Sequence, residues 1–154
     1  MTTPTDTGSF TLSRTLPVSP DKLWHLVTDP DMRDAWGAPG DGMVMVTDVT
    51  DFTVGGLEKH RCGPADNPHF TVETRWYRID GPQHAVFTET ILVSGAAMAT
   101  TLVTYRIAPD ASGSTLHVTV AVSSFDGPGG VADVEEGWTG GLANLEALAA
   151  QHAA

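Results

Sequence analysis

The stretch EEGWTGGLANLEAL, residues 135–148, decides the fold, and it combines two opposing signals. Large apolar residues recur in it at helical spacing, which predicts an amphipathic helix with a buried stripe of Trp138, Leu142, Leu145 and Leu148. Glycines interrupt the same run, and each interior glycine costs a helix about 1 kcal/mol relative to alanine. Since Gly137 and Gly141 lie beside that stripe, we expect them to let the helix approach very closely the surface that it covers.

Length and composition indicate one domain. The chain has 154 residues, of which 41% are hydrophobic, and this is enough for a single core. We expect a mobile polar tail over residues 1–8 and a single domain over residues 9–154. The formal net charge of -11 would repel a phosphate backbone or an anionic membrane surface, so neither nucleic acid nor a membrane is expected as a partner.

Cysteine content and the N-terminal sequence favour a cytoplasmic location. Cys62 is the only cysteine, so no disulfide can form within the chain. No apolar stretch approaches the roughly 18 residues that span a bilayer. The first residues, MTTPTDTGS, lack the basic and apolar regions of a signal peptide. The sequence does not determine the oligomeric state, and a homodimer is compatible with it.

One strand and two short helices are predicted before the main sheet. FTLSRTL, residues 10–16, alternates apolar and polar side chains as a half-buried strand does. Ser19 is a typical N-cap, and Pro20 suits the first position of the helix that follows. Pro30 begins a second short helix, which ends at Gly37.

The middle of the chain is predicted to form six further strands, separated by turn signals such as VGG, DGPQ and SGAA. The connections are too short for parallel crossovers, so the sheet should be antiparallel. The predicted strands cover residues 43–49, 57–62, 70–79, 85–93, 99–107 and 116–123, and a closing helix begins near residue 131. The sequence therefore predicts an α+β fold, with a long C-terminal helix packed on a curved antiparallel sheet of about seven strands.

Five segments carry a resemblance to a known family. SRTLPVSPDKLW, TDPDMRDAWG, VGG, IDGPQHAVFTET and EGWTGGLANLEAL, in this order, resemble the SRPBCC (START-like, birch-pollen-allergen-like) superfamily. Within it, the branch of homologues of the activator of heat-shock protein 90 ATPase fits best. The resemblance implies a helix-grip fold, whose cavity between sheet and C-terminal helix often holds an apolar small molecule. It implies no particular reaction, because the superfamily includes carriers as well as polyketide cyclases and aromatases.

Two departures from the family pattern predict a partly polar pocket. Glu58 and His60 stand on the third strand where the family usually has aromatic or apolar residues. Glu89 stands on the fifth strand where a tryptophan commonly follows "FT". Polar side chains at these positions would give the cavity groups that can bind or transfer a proton.

Strand alternation predicts which side chains face the interior. Lys59 and Arg61 should face solvent, which turns the residues between and beside them inward. The inward positions of the other strands and of the closing helix should converge on the same cavity, although the aromatic ones among them could equally be ordinary core. The predicted ligand-binding residues are Glu58, His60, Cys62, Trp76, Phe87, Glu89, Tyr105, Trp138 and Leu142.

Three of these residues are also candidates for catalysis. Burial would raise the pKa of Glu58 or Glu89 and suit the carboxyl group to proton transfer, with His60 as its partner. The alternative is a location at the rim, or an internal ion pair with His60 or Arg14 that only supports the structure. His60 and Cys62 lie on the same strand face, but no third and fourth ligand follow at a recognisable spacing, so neither a metal nor a cofactor is predicted.

Three functions are compatible with this pattern. The first is binding of an apolar or amphipathic small molecule between sheet and helix. The second is an enzyme of polyketide cyclase, aromatase or isomerase type that uses Glu58 or Glu89 as the base in the same cavity. The third is interaction with a chaperone, which is the weakest because eukaryotic activators join this domain to a separate N-terminal domain for which this chain has no room.

Overall fold

The computed structural model describes residues 5–38 and 40–153. In chain order the elements are β1 (Asp6–Leu16), α1 (Pro20–Thr28), α2 (Pro30–Trp36), β2 (Met43–Val49), β3 (Leu57–Pro64), β4 (Phe70–Asp80), β5 (His84–Val93), β6 (Ala96–Asp110), β7 (Gly113–Ser124) and α3 (Gly130–Gln151). The strands of the described ranges form one seven-stranded antiparallel sheet of order β1-β7-β6-β5-β4-β3-β2. The predicted helix-grip fold is confirmed.

Strand β1 begins earlier in the chain than predicted. Strand β1 begins at Asp6, which pairs with Ser124 of β7. The carboxylate of Asp6 also accepts a hydrogen bond of 3.0 Å from the backbone N–H of Val131, in the first turn of α3. Residues 6–8 of the predicted mobile tail therefore belong to the sheet, because β7 is long enough to pair with them. Residues 1–4 lie outside the described residues.

Capping residues set the start of both short helices. The Ser19 side chain accepts the backbone N–H of Lys22 and caps α1. Asp29 ends α1 and caps α2, accepting the backbone N–H groups of Asp31 and Met32. Each helix has a proline in its first turn, where no backbone donor is needed. Helix α2 packs against β2 and α3, and this contact closes one end of the sheet.

The main core lies between the sheet and the helices. Alternate residues of β6 and β7, such as Val103, Val118 and Val120, are fully buried on the face that α3 covers. Helix α3 supplies Leu142 and Leu145 to this core. Burying a leucine side chain contributes about 1.5–3 kcal/mol, so this contact offsets the cost of the glycines in α3.

Two glycines of α3, Gly130 and Gly141, differ in the space around them. A Cβ added at Gly141 would lie 3.6 Å from the backbone oxygen of Trp36 in α2 and 3.8 Å from its ring, which is ordinary van der Waals contact. The expected very close approach at Gly141 is therefore not found, because the atoms that a Cβ would meet belong to α2 and lie at ordinary contact distance. Gly130 is the position where only glycine fits, because a Cβ there would overlap the side chain of Ser124.

Among the described residues, no helix combines the length and the apolar character that crossing a membrane requires.

Candidate functional site

A cavity of about 270 Å³ lies between α2, α3 and the sheet. It separates the main core from a smaller apolar cluster formed by Met45, Cys62 and Val72. Its walls are mainly apolar and include Trp36, Met45, Val72, Ile91, Val134 and Trp138. Polar groups reach it from α2, β5, β6 and α3, namely Arg33, Glu89, Thr101 and Asp133.

Three of the nine predicted ligand-binding residues line this cavity. Cys62 is buried on β3, Glu89 lies on β5 with 14% of its side chain exposed, and Trp138 is half-buried on α3. Burial raises the pKa of the Cys62 thiol to about 12, so the sulfur remains protonated and unreactive at neutral pH. No group of three or more His, Cys, Asp or Glu residues in the described ranges is arranged to hold a metal ion.

The other predicted aromatic residues are fully buried in the main core. Trp76, Phe87 and Tyr105 pack in a row, with ring centroids 4.7 Å and 5.0 Å apart, and Tyr105 reaches Trp138 at 6.2 Å. Leu142 is buried beside them, and none of these four core residues is part of the cavity wall. Their arrangement matches the ordinary-core alternative, with Trp138 as the end of the row that reaches the cavity.

Glu58 is buried and fully engaged by hydrogen-bond donors. One carboxylate oxygen accepts the indole N–H of Trp76 at 3.0 Å. The other accepts the hydroxyl of Thr50 at 2.7 Å and the backbone N–H of Asp51 at 3.2 Å. These bonds hold the loop before β3 against β4, and Glu58 is not part of the cavity wall.

His60 is buried between two threonines. The hydroxyl of Thr47 donates to Asp34 at 2.7 Å and so accepts the Nδ1–H of His60 at 2.9 Å, which leaves Nε2 to accept from Thr74 at 3.3 Å. Burial, and then the charge of Arg33, lower the pKa of His60 to about 3. The imidazole is therefore neutral near pH 7, and like Glu58 it is not part of the cavity wall.

Among the cavity residues that the sequence analysis did not name as ligand-binding, Arg33 is the one that brings a buried positive charge. It is only 4% exposed, and its guanidinium carbon lies 5.5 Å from the ring centroid of Trp36 and 5.7 Å from that of Phe87. Its Nη2 lies 3.5 Å from an oxygen of Glu89. Arg14, the predicted partner of an internal carboxylate, instead pairs with Glu146 of α3 at 3.1 Å. A signal for Arg33 was present, since it lies three residues before Trp36 and so shares its helix face.

The polar cluster at Arg33 is incomplete. Its Nε and Nη1 atoms and the hydroxyl of Tyr105 have no hydrogen-bond partner among the described residues. Burial opposes the charge of Arg33, but the neighbouring Tyr105 and Glu89 favour it, and the pKa of Arg33 is raised, so it stays charged. Burial also raises the pKa of Glu89, although Arg33 acts in the opposite direction. A buried unpaired donor costs about 1–3 kcal/mol, so these groups would gain from an added hydrogen-bond acceptor.

The fold and the cavity define a helix-grip domain with an internal, largely apolar chamber. The chain matches the family described as polyketide cyclase / dehydrase and lipid transport over residues 7–151, and it belongs to this family. The match gives no specific support to the heat-shock-protein activator branch that the sequence motifs resemble. No match was found among the curated proteins.

Solved structures share this fold over nearly the whole chain. A protein of Rhizobium loti is 30% identical with a TM-score of 0.80, and the alignment covers 94% of this chain and 98% of that one. A protein of Chromobacterium violaceum is 20% identical with a TM-score of 0.79, covering 92% and 96%. A protein of Rhizobium leguminosarum is 16% identical with a TM-score of 0.81, covering 98% and 99%. The last two similarities concern the fold alone.

Proposed function

We propose that this protein binds a small apolar or amphipathic molecule in the cavity between the sheet and α3. The observation that carries this proposal is the cavity of about 270 Å³ between two apolar clusters. Protein interiors are close-packed, with few voids larger than a water molecule, so a chamber of this size in a small domain needs an occupant to account for it. Membership in a family described by lipid transport and cyclase chemistry supports the same reading.

The cavity dimensions restrict the ligand to a compact molecule. Small-molecule sites usually occupy about 300–1,000 Å³, so this cavity lies near the lower limit. Asp133 is solvent-exposed and lies on the rim, so the longer end of a ligand would leave the cavity beside it. The mainly apolar walls would hold the body of the ligand, and Arg33 and Glu89 would meet its polar part.

Ligand titration tests the proposal. Trp36 and Trp138 both line the cavity, so aromatic or fatty ligands should change tryptophan fluorescence saturably. Replacing Trp138 with phenylalanine should reduce this response, whereas Trp24→Phe should not, because Trp24 packs on Phe52 away from the cavity. Native mass spectrometry of protein purified from its own host should show a bound small molecule. The proposal fails if a broad ligand panel gives no saturable response and no bound mass is seen.

Catalysis in the same cavity is the second candidate function. Glu89 favours it, because its carboxyl group lies on the cavity wall, has a raised pKa and is adjacent to a cationic donor. A carboxylate base beside Arg33 would suit proton removal next to a carbonyl group, with the guanidinium stabilising the enolate that forms. Glu58 and His60 do not support this role, since both are held by other side chains and His60 stays neutral.

This candidate has its own measurement. A β-ketoacyl thioester that carries an acidic C–H should exchange deuterium from solvent faster in the presence of the protein than in its absence. The Glu89→Gln variant should abolish the acceleration while still binding the thioester. Equal exchange with and without protein would eliminate the enzymatic role and leave binding as the function.

A further inference from the structure

The guanidinium of Arg33 has more N–H donors than there are hydrogen-bond acceptors around it in the described residues. Arginine carries five N–H donors, and within the described part of the chain its only hydrogen-bond acceptor is Glu89. The 3.5 Å separation is long for a charge-assisted bond, which usually measures about 2.7–2.9 Å. Nε and Nη1 have no acceptor in residues 5–38 and 40–153. The site therefore lacks acceptor atoms.

Arg33 is buried beside two aromatic rings. Its side chain is 5% exposed and lies between the rings of Trp36 and Phe87, while the capping carboxylate of Asp29 fixes the start of α2. It also belongs to the cavity wall, so its positive charge is next to the unfilled space. A buried cation is costly unless an anion compensates it, and the structure supplies one long contact to Glu89.

Within the described residues, the other titratable groups around Arg33 provide no acceptor for its Nε and Nη1 donors. Tyr105 and Cys62 are neutral at pH 7, since burial raises the pKa of both. The charge of Glu58 favours that of Arg33 through space, but the oxygens of Glu58 are bound by three other donors. Asp133 is on the solvent-exposed rim. The one negative group within reach of the guanidinium is Glu89, among the residues that the structure describes.

We infer that the cavity ligand is a compact monocarboxylic acid, whose carboxylate binds Arg33 and whose apolar body fills the space beside Trp36 and Trp138. This inference rests on the proposed binding function. A carboxylate brings two oxygens and a full negative charge, which match two unpaired donors and one undercompensated cation. A neutral carbonyl brings no charge to strengthen the contact with the guanidinium, and the second charge of a phosphate would add to the repulsion by Glu89.

Matched pairs of acid and amide test the inference by isothermal titration calorimetry. The probes are 2-naphthoate with 2-naphthamide and octanoate with octanamide, which differ only in the head group. The wild-type protein should bind each acid at least about tenfold more tightly than its amide, since a charge-assisted pair in a partly dry site is involved. The Arg33→Met variant should lose this preference and keep amide binding within about threefold of wild type.

The control variant is Arg61→Met, which removes an arginine from the outer face of β3, where it pairs with Asp48 at 2.7 Å. It should keep the wild-type preference for acids. If Arg33→Met does not fold, Arg33→Gln keeps donors but no charge and should give the same loss of preference.

The outcomes separate this inference from the proposed function. Equal binding of acid and amide by the wild-type protein would overturn the inference and leave small-molecule binding intact. The same holds if Arg33→Met retains the preference for acids. Absence of binding by all four probes to folded wild-type protein would overturn the inference, whereas the proposed function falls only if the broad ligand panel and native mass spectrometry are also negative.

Discussion

Glu58 and Glu89 are both inward-facing carboxylates, but only Glu58 is fully buried, and their surroundings allow them different roles. Glu58 accepts three hydrogen bonds from Trp76, Thr50 and the backbone of Asp51. Glu89 has one long contact with Arg33 and faces the cavity. A carboxylate that is saturated with donors supports structure, whereas one with a single weak partner and access to a cavity can bind or exchange protons.

Removing the Glu58 carboxylate should lower stability and leave ligand binding unchanged. In Glu58→Ala the buried indole N–H of Trp76 loses its acceptor, which costs about 1–3 kcal/mol in the free energy of unfolding. Urea denaturation measures this loss. Glu73→Ala is the control, because Glu73 makes only a 4.0 Å contact with the exposed Lys59 and should change stability by less than about 0.5 kcal/mol. Weaker naphthoate binding with unchanged stability would contradict this role.

His60 should make the protein acid-sensitive. Its folded-state pKa of about 3 lies below the unfolded value of 6.5, so the unfolded state binds more protons between these values and stability falls as pH decreases from 6.5 to about 3. Burial raises the pKa of Glu89, which acts in the opposite direction, so the experiment uses Glu89→Gln as background.

Urea denaturation from pH 7 to pH 4 measures the effect. Adding His60→Gln to that background should flatten the decrease in stability, since glutamine has no proton to take up. Adding the solvent-exposed His25→Gln instead should leave the slope unchanged. An equal slope with and without His60 would show that other groups cause the acid sensitivity.

At the scale of elements, the position of α2 determines which strands of the sheet α3 covers. The short helix places Trp36 against Gly141 and Arg33 on the cavity wall, so it keeps α3 away from β3 and β4. The apolar residues of β2–β4, among them Met45 and Val72, are thereby left as a separate cluster. The cavity is the space between these two packing arrangements.

Two glycines of α3 should respond oppositely to alanine. Gly141→Ala places a Cβ in ordinary contact with Trp36 and should stabilise the protein by up to about 1 kcal/mol through helix propensity. Gly130→Ala should destabilise it, because the added Cβ would overlap the side chain of Ser124. Thermal unfolding of both variants measures the two shifts. A lower melting temperature for Gly141→Ala would mean that α3 packs more tightly there than the structure indicates.

At the scale of the whole molecule, the net charge opposes the ligand that the cavity favours. The chain carries a formal charge of -11, while the buried cation that would bind a carboxylate is Arg33. Long-range repulsion acts on the approach of an anion, and the buried contact acts only after entry. Association rate and affinity should therefore depend on salt in different ways.

Raising the salt concentration should speed the association of 2-naphthoate. The Debye length falls from about 30 Å at 0.01 M to about 10 Å at 0.1 M ionic strength, so the repulsive surface is screened. Stopped-flow tryptophan fluorescence measures the rate. The neutral 2-naphthamide is the control and should show no comparable change. A naphthoate rate that decreases with salt would indicate an attractive entry path instead.

The order and direction of the elements followed from the sequence alone. Period-two alternation and turn residues are local properties of the chain, and they located all seven strands as well as the two short helices with their Ser19 and Pro30 starts. Alternation also predicted correctly that Lys59 and Arg61 are exposed while Glu58, His60 and Cys62 are buried. The face of a strand on which a side chain lies depends on its position in the local alternation, which can be read from the adjacent residues.

The tertiary structure alone decided which buried residues meet the cavity. Glu58 and Glu89 have the same chemistry and both point inward, but only Glu89 lies where α2, α3 and the sheet fail to fill the space. Arg33 looks like a solvated residue of a short helix, and it is buried because that helix packs against β2 and α3. Cavities depend on the volumes and positions of several elements at once, and no periodicity within one segment contains that information.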